Sequence, residues 1–386
     1  MLDFNYLLPT KMIFGKNAEA TIGEEVKKYS SNILLVHYGD DFIKNSKIIE
    51  RISKSLKTYD IKYTELCGIQ PNPVSDPVYE GIKICKENNI DFILTVGGGS
   101  VIDTGKAIAV GVPYEGDVYD FYQMKEVPTK AIPVACITTI PASGSETSNG
   151  SVISFGEHKL CINYEIIRPK FSVFNPSLTL TLPPWQTFCG IADIIDHIFE
   201  RYFSSTIESD LIGSMCEGAI KSVMKNARIL LKDPQNYNAR AEITLAASIA
   251  HNGMLDMGRM QDWGTHNMGH QLSVLYGATH GATISAIRPS WIRYNYKRDM
   301  DLFVNFAVRI MNVEFDAKNP QHMILEAVEK LENFYREIGL PIKISEINNI
   351  DKNVIDIDKM TQLAAPVGFS FPLEADNIKE IYKMSM

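Results

Sequence analysis

Two histidine-containing stretches carry side chains whose spacing could bind a metal ion. In the first, Asp193 and His197 lie four residues apart, so that on a helix they would share one face. In the second, His266 and His270 have the same spacing, and His280 follows between glycines where a helix could end. Together the stretches offer one carboxylate and up to four imidazoles, which is a ligand set for Zn²⁺ or Fe²⁺.

Each stretch alone also has a simpler interpretation. A histidine in a helix is often a structural residue, and an Asp–His pair four residues apart is often a surface pair. Two such stretches in one chain, the second with a further histidine beside glycine, favour a metal site.

A glycine-rich loop is the second feature with chemical meaning. The apolar run 91–96 leads into a glycine triplet and a serine: Gly97, Gly98, Gly99 and Ser100. A helix that starts there would aim backbone N–H groups at a phosphate. The dinucleotide fingerprint is incomplete at Ile102, and Ser100 replaces the first glycine of a nucleoside-triphosphate loop. The alternative is a tight turn in which Ser100 and Asp103 form a capping box.

Hydroxyl-bearing residues follow the next apolar strand, which is predicted at 131–137. They are Thr138, Thr139, Ser143 and Ser145. Because the carboxyl ends of parallel strands form ligand crevices, this stretch could contact a cofactor. An ordinary polar loop has the same composition and remains the alternative.

The elements that would carry these residues differ between the two halves of the chain. Strands are predicted at 10–14, 32–38, 61–66, 91–96 and 131–137, with helices at 17–29, at 45–58 and from 75 onwards. This alternation predicts a parallel, doubly wound α/β sheet.

Beyond Asn175-Pro176, strand-like runs almost vanish and helical periodicity takes over. The predicted helices cover 185–203, 206–231, 238–256, 265–275, 282–294, 300–312, 320–338 and 374–384. We therefore predict two domains, an α/β dinucleotide-binding domain at 1–177 and an all-helical metal-binding domain at 178–386.

The composition argues against a nucleic-acid-binding protein, a membrane-spanning protein and a secreted protein with disulfides. The 386 residues carry a net charge of −8 and no strongly basic stretch, which argues against a nucleic-acid partner. We find no apolar run long enough to span a membrane and no signal peptide. The six scattered cysteines lack a Cys-x-x-Cys pair and favour free thiols in the cytoplasm.

The chain resembles the iron-containing (group III) alcohol dehydrogenases, most closely their butanol dehydrogenase and aldehyde reductase branch. The matching segments span nearly its whole length: Pro9–Gly15, Pro71-Asn72-Pro73, Gly97–Lys106, Thr138-Thr139, Gly144–Glu146, Gly190–His197, Asp262–Gly281 and Glu380–Met384. The resemblance implies a Rossmann-like parallel α/β domain followed by an all-helical metal-binding domain, the architecture of the dehydroquinate synthases.

The resemblance also implies roles for individual residues. The metal ligands would be Asp193, His197, His266 and His280, with Fe²⁺ or Zn²⁺ as the metal. His270 would be a cleft histidine involved in proton transfer. NAD(H) or NADP(H) would contact Gly39, Asp40, Asn72, Gly97, Gly98, Gly99, Ser100, Asp103, Thr138, Thr139, Ser143, Asn149 and Lys159. Relatives in the family are typically homodimers or larger homo-oligomers.

The expected chemistry follows from these ligands. Three neutral imidazoles and one carboxylate leave a divalent metal positively charged, so that it can polarise an aldehyde carbonyl or stabilise an alkoxide. Hydride transfer to or from the nicotinamide is the chemistry of the cofactor. His270 could supply or remove the proton of the alcohol.

One departure from the family bears on the choice of cofactor. Relatives that use NADP have small residues in the turn after the second strand, whereas this chain has Gly39-Asp40-Asp41. Two carboxylates there would repel a 2′-phosphate or bind the ribose diol, which favours NAD(H), although Lys44 could offset them.

Other functions on this architecture remain alternatives. A dehydroquinate synthase-like lyase would need a basic cluster for its acidic substrate, and the helical domain shows no such cluster near 193–280, although Arg259 is nearby. A glycerol dehydrogenase-like enzyme and a non-enzymatic metal- or nucleotide-binding module are the others. For the main interpretation, apolar residues such as Phe155, Trp263 and Leu275 would line a pocket for small aliphatic aldehydes.

Overall fold

The chain forms two compact units in the computed structural model, which describes residues 1–39, 41–206, 209–348 and 350–386. One unit comprises Leu7–Pro183, and the other comprises Pro184–Met386 together with Met1–Tyr6. The structural division therefore falls slightly after the predicted boundary at 177, and the first six residues belong with the helical unit. The functional domains at 1–177 and 178–386 stay predictions.

Strands and helices alternate through most of the first unit. Its strands are β1 (Lys11–Phe14), β2 (Asn32–His37), β3 (Lys62–Leu66), β4 (Phe92–Gly97), β5 (Val134–Thr138), β6 (Gly150–Phe155), β7 (His158–Asn163) and β8 (Phe171–Phe174). Its helices are α1 (Ile22–Lys27), α2 (Asp41–Ser46), α3 (Ile48–Thr58), α4 (Asp76–Asn88), α5 (Gly99–Gly111) and α6 (Tyr119–Tyr122).

The main sheet is parallel and buried on both faces. Its strand order within the described residues is β1-β8-β5-β4-β2-β3, while β6 and β7 form a separate antiparallel hairpin. Along β2, Leu34 belongs to the apolar cluster that includes α4 and α5, and Leu35 belongs to the cluster that includes α1 and α3. Burial on both faces explains the continuous apolar runs in the sequence and confirms the predicted doubly wound α/β fold.

Several boundaries differ from the prediction for local reasons. The helix expected over 45–58 is two helices, α2 and α3, separated at Lys47, which has a left-handed backbone conformation (φ 54°). A 3₁₀ turn at Ala18–Thr21 precedes α1. We did not predict β6, β7 or β8. The four residues of β8 are too few for a periodic pattern, yet they lie inside the sheet between β1 and β5.

Helices make up most of the second unit. They are α7 (Pro184–Tyr202), α8 (Asp210–Lys232), α9 (Tyr237–His251), α10 (Gly264–Tyr276), α11 (His280–Asn295), α12 (Met300–Asn305), α13 (Pro320–Glu337), α14 (Ile357–Ala364) and α15 (Ala375–Met384). The predicted helix 300–312 ends its α-helical part at Asn305 and continues as π-helix over Phe306–Ile310. Residues 207 and 208 of the predicted helix 206–231 lie outside the described residues.

Helix α7 lies at the centre of this unit. Nearly all of its residues from Thr187 onwards are buried, and its apolar side chains belong to one large core with those of α8 to α13. Polar groups on α7 therefore need partners within the protein. Within the described chain, no helix is both long enough and apolar enough to cross a membrane.

Candidate functional site

Three imidazoles converge on one carboxylate oxygen in the helical unit. The Nε2 atoms of His197, His266 and His280 lie 3.6, 3.5 and 3.6 Å from Oδ1 of Asp193. Tetrahedral ligands at metal distances of about 2.0–2.2 Å would be separated by about 3.3–3.6 Å. Each imidazole is therefore at nearly the distance from the carboxylate oxygen that tetrahedral coordination of a dication requires, and ligand atoms of Asp193, His266 and His280 all lie within 4.8 Å of one another.

Two atoms of this group provide an independent test of the fit. Asp193 Oδ1 and His266 Nε2 are both buried, and neither has a hydrogen-bond partner among the described residues. A buried polar atom without a partner is costly, and a bound cation would satisfy both atoms. The residues therefore fit a divalent metal. They are the four that the resemblance to the family implied as ligands.

Local structure explains how separate helices bring these ligands together. Asp193 and His197 are one turn apart on α7, as their spacing predicted. Helix α10 carries His266 and ends at Gly277, whose left-handed conformation (φ 66°) forms the C-cap. The chain then turns, and His280 is the first residue of α11, which packs against α7.

His270 lies next to the four ligand side chains. It is one turn after His266 on α10, and its ring centroid is 5.0 Å from that of His280. The two rings are therefore neighbours, and the role of His270 in proton transfer stays a prediction.

The sequence analysis missed two carboxylates that contact His266. Asp196 Oδ2 and Glu200 Oε1 each lie 2.9 Å from His266 Nδ1, and Arg288 forms ion pairs with both carboxylates. Burial alone would lower the pKa of His266, but the nearby carboxylates of Asp193, Asp196 and Glu200 raise it well above its usual value. The sequence did contain a signal for these partners, because Asp193, Asp196 and Glu200 recur at i, i+3 and i+7 along one face of a largely apolar helix.

Different side chains surround His197. The ring of His251, which we did not predict near the site, stacks on His197 with centroids 4.4 Å apart, and Trp263 packs edge-on at 5.6 Å. The guanidinium of Arg201 lies over the ring of Trp263. Burial, followed by the nearby charges of His266, His251 and Arg201, lowers the pKa of His197 well below its usual value. A neutral imidazole is the form that binds a metal.

The glycine-rich loop lies at the junction of a strand and a helix, as predicted. Gly97 ends β4, Gly98 is the N-cap of α5, and α5 begins at Gly99. A Cβ on Gly99 would lie 2.4 Å from Oγ of Ser143, so close packing as well as ligand access explains this glycine. The capping-box alternative is wrong, because Gly98 is the cap and makes no side-chain capping bond. The free N-terminus of α5 suits a phosphate.

Asp103 and Lys106 hold the segment that follows β5. Oδ1 of Asp103 accepts a hydrogen bond from Ser145 Oγ at 2.5 Å, and Oδ2 accepts one from the backbone N–H of Val152 at 3.1 Å. The fully buried Lys106 donates to the carbonyls of Ser145, Ser148 and Gly150. Both oxygens of Asp103 are thus engaged by protein, and its predicted contact with a cofactor stays a prediction.

Further predicted cofactor residues meet in space although they are distant in sequence. Lys159 on β7 donates to Oδ1 of Asn72 at 3.2 Å, in the loop before α4. Thr138 ends β5 and Thr139 follows it, and their buried hydroxyls have no hydrogen-bond partner within the described ranges. Orphaned hydroxyls of this kind fit a ligand that would supply the missing partners.

Of the remaining predicted residues, the structure describes Gly39, Asn149 and Phe155 but not Asp40. Gly39 has a left-handed backbone (φ 72°) in the turn after β2, whereas Asp40 lies outside the described residues. The amide of Asn149 donates to Glu165 at 2.7 Å. Phe155, which we expected to line a substrate pocket, packs in the apolar core of the first unit, where its ring stacks on Tyr119.

Comparison with known proteins identifies the family. The family model for iron-containing alcohol dehydrogenase matches residues 9–176, and the model for the C-terminal region of the same family matches 187–386. NADH-dependent butanol dehydrogenase A of Clostridium acetobutylicum is 37% identical over 391 residues, covering 100% of both chains. NADPH-dependent aldehyde reductase YqhD of Escherichia coli is 32% identical, covering 90% of this chain and 89% of its own.

A solved structure agrees with this comparison. The crystal structure of NADH-dependent butanol dehydrogenase A from Thermotoga maritima superposes with a TM-score of 0.95 at 33% identity, covering 100% of this chain and 99% of that one. Both family models and the full-length relatives confirm the resemblance that the motifs suggested. The chain therefore belongs to the iron-containing alcohol dehydrogenase family and is an oxidoreductase.

Proposed function

We propose that the chain interconverts small aliphatic alcohols, such as butanol, and their aldehydes by hydride transfer with NAD(P)(H). The observation that carries this proposal is the convergence of three imidazole Nε2 atoms on Asp193 Oδ1. The names of the butanol dehydrogenase and aldehyde reductase relatives support the substrate class. In this proposal residues 1–177 bind the cofactor and residues 178–386 bind the metal.

The four converging side chains would hold Fe²⁺ or Zn²⁺. One carboxylate and three imidazoles suit either ion, and the family description favours iron. When bound, such an ion acts as a Lewis acid toward an alcohol or aldehyde oxygen. The contribution of the chain is to hold the ligands in place within a buried, largely apolar helical core.

The cofactor would lie along the carboxyl ends of the parallel strands. The N-terminus of α5, with Gly97, Gly98, Gly99 and Ser100, would receive the pyrophosphate. The other contacts would come from Gly39, Asp40, Asn72, Asp103, Thr138, Thr139, Ser143, Asn149 and Lys159. The unpartnered hydroxyls of Thr138 and Thr139 support this assignment.

We infer that NADH is preferred over NADPH. Asp41, at the start of α2, presents an exposed carboxylate near the turn after β2, where a 2′-phosphate would be repelled. Lys44 is 4.0 Å from that carboxylate and offsets it only in part. Two further relatives, 36% and 37% identical, are described as probable NADH-dependent enzymes, which supports the same preference.

His270 would exchange the alcohol proton, directly or through water. Its position beside His280 puts an imidazole next to the metal ligands, and imidazole titrates near neutral pH. We also propose a cytoplasmic homodimer or larger homo-oligomer. All six cysteines are free thiols, which supports a reducing compartment.

The lyase alternative has less support from the residues around the metal ligands. Such an enzyme needs unpaired cations to bind an acidic substrate. Arg201 is paired with Asp256 at 2.7 Å, and Arg288 is paired with Asp196 and Glu200. These two guanidinium groups are therefore already neutralised by carboxylates of the protein, and Arg259 donates to the carbonyls of Tyr202 and Ser209.

The proposed function is tested by initial rates with butanal and NADH or NADPH, on protein stripped of metal and then refilled with Fe²⁺ or Zn²⁺. We expect activity that requires added metal and is higher with NADH. Activity without any metal would contradict the assignment of the four ligands, and inactivity under every combination would contradict the substrate class.

A further inference from the structure

We propose that Asp196, Glu200 and Arg288 form a buried clamp that fixes the orientation and the tautomer of His266, so that its Nε2 always faces the metal. This inference deepens the proposed function and rests on it. The three residues would be positioning residues, because they act through His266 and do not touch the substrate or the cofactor.

The contacts of His266 support a fixed tautomer. Its Nδ1 lies 2.9 Å from a carboxylate oxygen of Asp196 and 2.9 Å from one of Glu200. A bare Nδ1 lone pair would be repelled by both oxygens, whereas an Nδ1–H donates to them. The hydrogen on Nδ1 leaves the lone pair of the neutral ring on Nε2, the atom that faces Asp193.

Glu200 also fixes the backbone that carries the ring. Its Oε1 accepts a hydrogen bond from the backbone N–H of His266 at 3.2 Å, and its Oε2 accepts one from Trp263 at 2.7 Å. One carboxylate on α7 therefore satisfies two N–H groups at the start of α10 as well as the imidazole. Rotation of the ring would break the contact between Nδ1 and this carboxylate.

Arg288 makes the two carboxylates compatible with each other. It is fully buried on α11, donates through Nε and NH2 to Asp196, and has NH2 2.8 Å from Oε1 of Glu200. Without a cation, two buried carboxylates around one imidazole would repel each other. The pair and the guanidinium together retain one negative charge, directed at His266.

Within the group formed by Asp193 and the clamp, the charges balance when a dication is bound. Asp193, Asp196 and Glu200 supply three carboxylates, and Arg288 supplies one guanidinium. The two net negative charges that remain equal the charge of Fe²⁺ or Zn²⁺. Removing a single carboxylate would leave the occupied site with a surplus positive charge in a buried setting, which is unfavourable.

Nδ1 of His197 faces a cation, whereas Nδ1 of His266 faces two carboxylates. The clamp therefore fixes the tautomer of His266 and not that of His197. Nδ1 of His197 lies 3.5 Å from NH1 of Arg201, and the same NH1 donates to the carbonyl of His197. A guanidinium favours a bare Nδ1, so it does not hold His197 in the tautomer that exposes Nε2. The clamp therefore acts on one ligand and not equally on all three.

The test uses Asp196→Asn and Glu200→Gln, which keep side-chain size and remove one charge each. Zn²⁺ affinity is measured by competition with a fluorescent chelator, and the matched control is Glu332→Gln, which removes a carboxylate paired with Arg293 elsewhere in the helical unit. We expect the two clamp variants to bind Zn²⁺ about 10–100-fold more weakly and the control to bind as the wild type does. At saturating Zn²⁺ the clamp variants should regain most of the wild-type kcat, although their affinity for Zn²⁺ stays lower than that of the wild type.

A second measurement keeps the inference testable if either variant fails to fold. Nitrogen NMR of histidine-labelled, metal-free wild type at a pH where the ring is neutral should report His266 as the Nδ1–H tautomer. An Nε2–H tautomer, or clamp variants with unchanged Zn²⁺ affinity, would overturn the clamp while leaving the metal site intact. A wild type that binds neither Zn²⁺ nor Fe²⁺ would instead overturn the proposed function.

Discussion

Gly281 lies against the backbone of Cys189 so closely that a Cβ on the glycine would be 2.0 Å from the Cys189 carbonyl oxygen. The contact joins the first turn of α11 to α7 and brings His280 within 3.6 Å of Asp193. The atoms in contact belong to the backbone of α7, which cannot move aside as the end of a flexible side chain can. The close approach of these two helices is thus a condition for assembling the ligands.

We therefore expect Gly281→Ala to separate α11 from α7. Overpacking of this kind costs about 1–3 kcal/mol of folding free energy, and displacement of His280 should also weaken metal binding. Urea unfolding and bound-metal content would measure the two effects. Gly218→Ala is the matched control, because this exposed glycine of α8 has open space around the position of a Cβ atom. The control variant should be more stable than the wild type by about 1 kcal/mol. A Gly281→Ala variant with the metal content of the wild type would contradict the expected displacement of His280.

A second prediction concerns Lys106, whose ammonium group is fully buried beneath the segment 143–150. Lys106→Met would leave three backbone carbonyls without their donor and Asp103 without its neighbouring positive charge. Breaking a buried charge arrangement from one side costs about 3–5 kcal/mol, so urea unfolding should show a large loss of stability.

The same substitution should weaken NADH binding, measured by cofactor fluorescence, because the segment carries Ser143 and Asn149. Lys83→Met removes an exposed lysine of α4 and should change the free energy of unfolding by less than about 0.5 kcal/mol. A Lys106 variant as stable as this control would show that the buried ammonium contributes little.

The pH dependence of stability should carry a contribution from Glu146. Burial raises the pKa of its carboxyl from 4.5 to about 7, and its Oε1 has no hydrogen-bond partner in the described part of the chain. Between these two pKa values the folded protein holds a proton that the unfolded chain releases. The stability contributed by Glu146 is therefore complete below about pH 4.5 and is lost as the pH rises through about 7.

Glu146→Gln removes this titration without removing the side chain. Relative to the variant, the wild type should lose on the order of 3 kcal/mol of unfolding free energy between pH 4.5 and 8, as measured by urea unfolding at a series of pH values. Glu157→Gln, at an exposed carboxyl of the β6–β7 turn, is the control and should follow the wild-type profile. Parallel profiles for Glu146→Gln and wild type would contradict the expected titration.

Sequence spacing predicted those features that depend on a single element. The helical repeat placed Asp193 and His197 on one face, and the continuous apolar run at 32–38 predicted a strand buried on both sides. Relations between distant elements could not be read in this way. Arg288 meets Asp196 across 92 residues, and nothing near either residue marks the other as its partner.

The missed features share a physical reason. A buried charged residue looks like a surface residue in a sequence unless its partner is known, so Asp196 and Glu200 were passed over on α7. Lys106 entered the sequence comparison only as the end of the segment Gly97–Lys106, although it holds the segment after β5. The strand β8 is stabilised by neighbours on both sides rather than by its own four residues.

The last prediction separates proton transfer from metal binding at His270. His270→Asn keeps a polar side chain of similar size on α10 but removes the imidazole that would exchange the proton. We expect kcat for butanal reduction to fall about 10²-fold or more, because general acid catalysis contributes about 10²–10⁴-fold. Zn²⁺ affinity should remain at the wild-type value, since His270 is not among the converging ligands. If the affinity fell together with kcat, His270 would instead support the ring of His280, whose centroid is 5.0 Å away. His280→Ala provides the comparison, because it removes a ligand and should lower the affinity and the rate together.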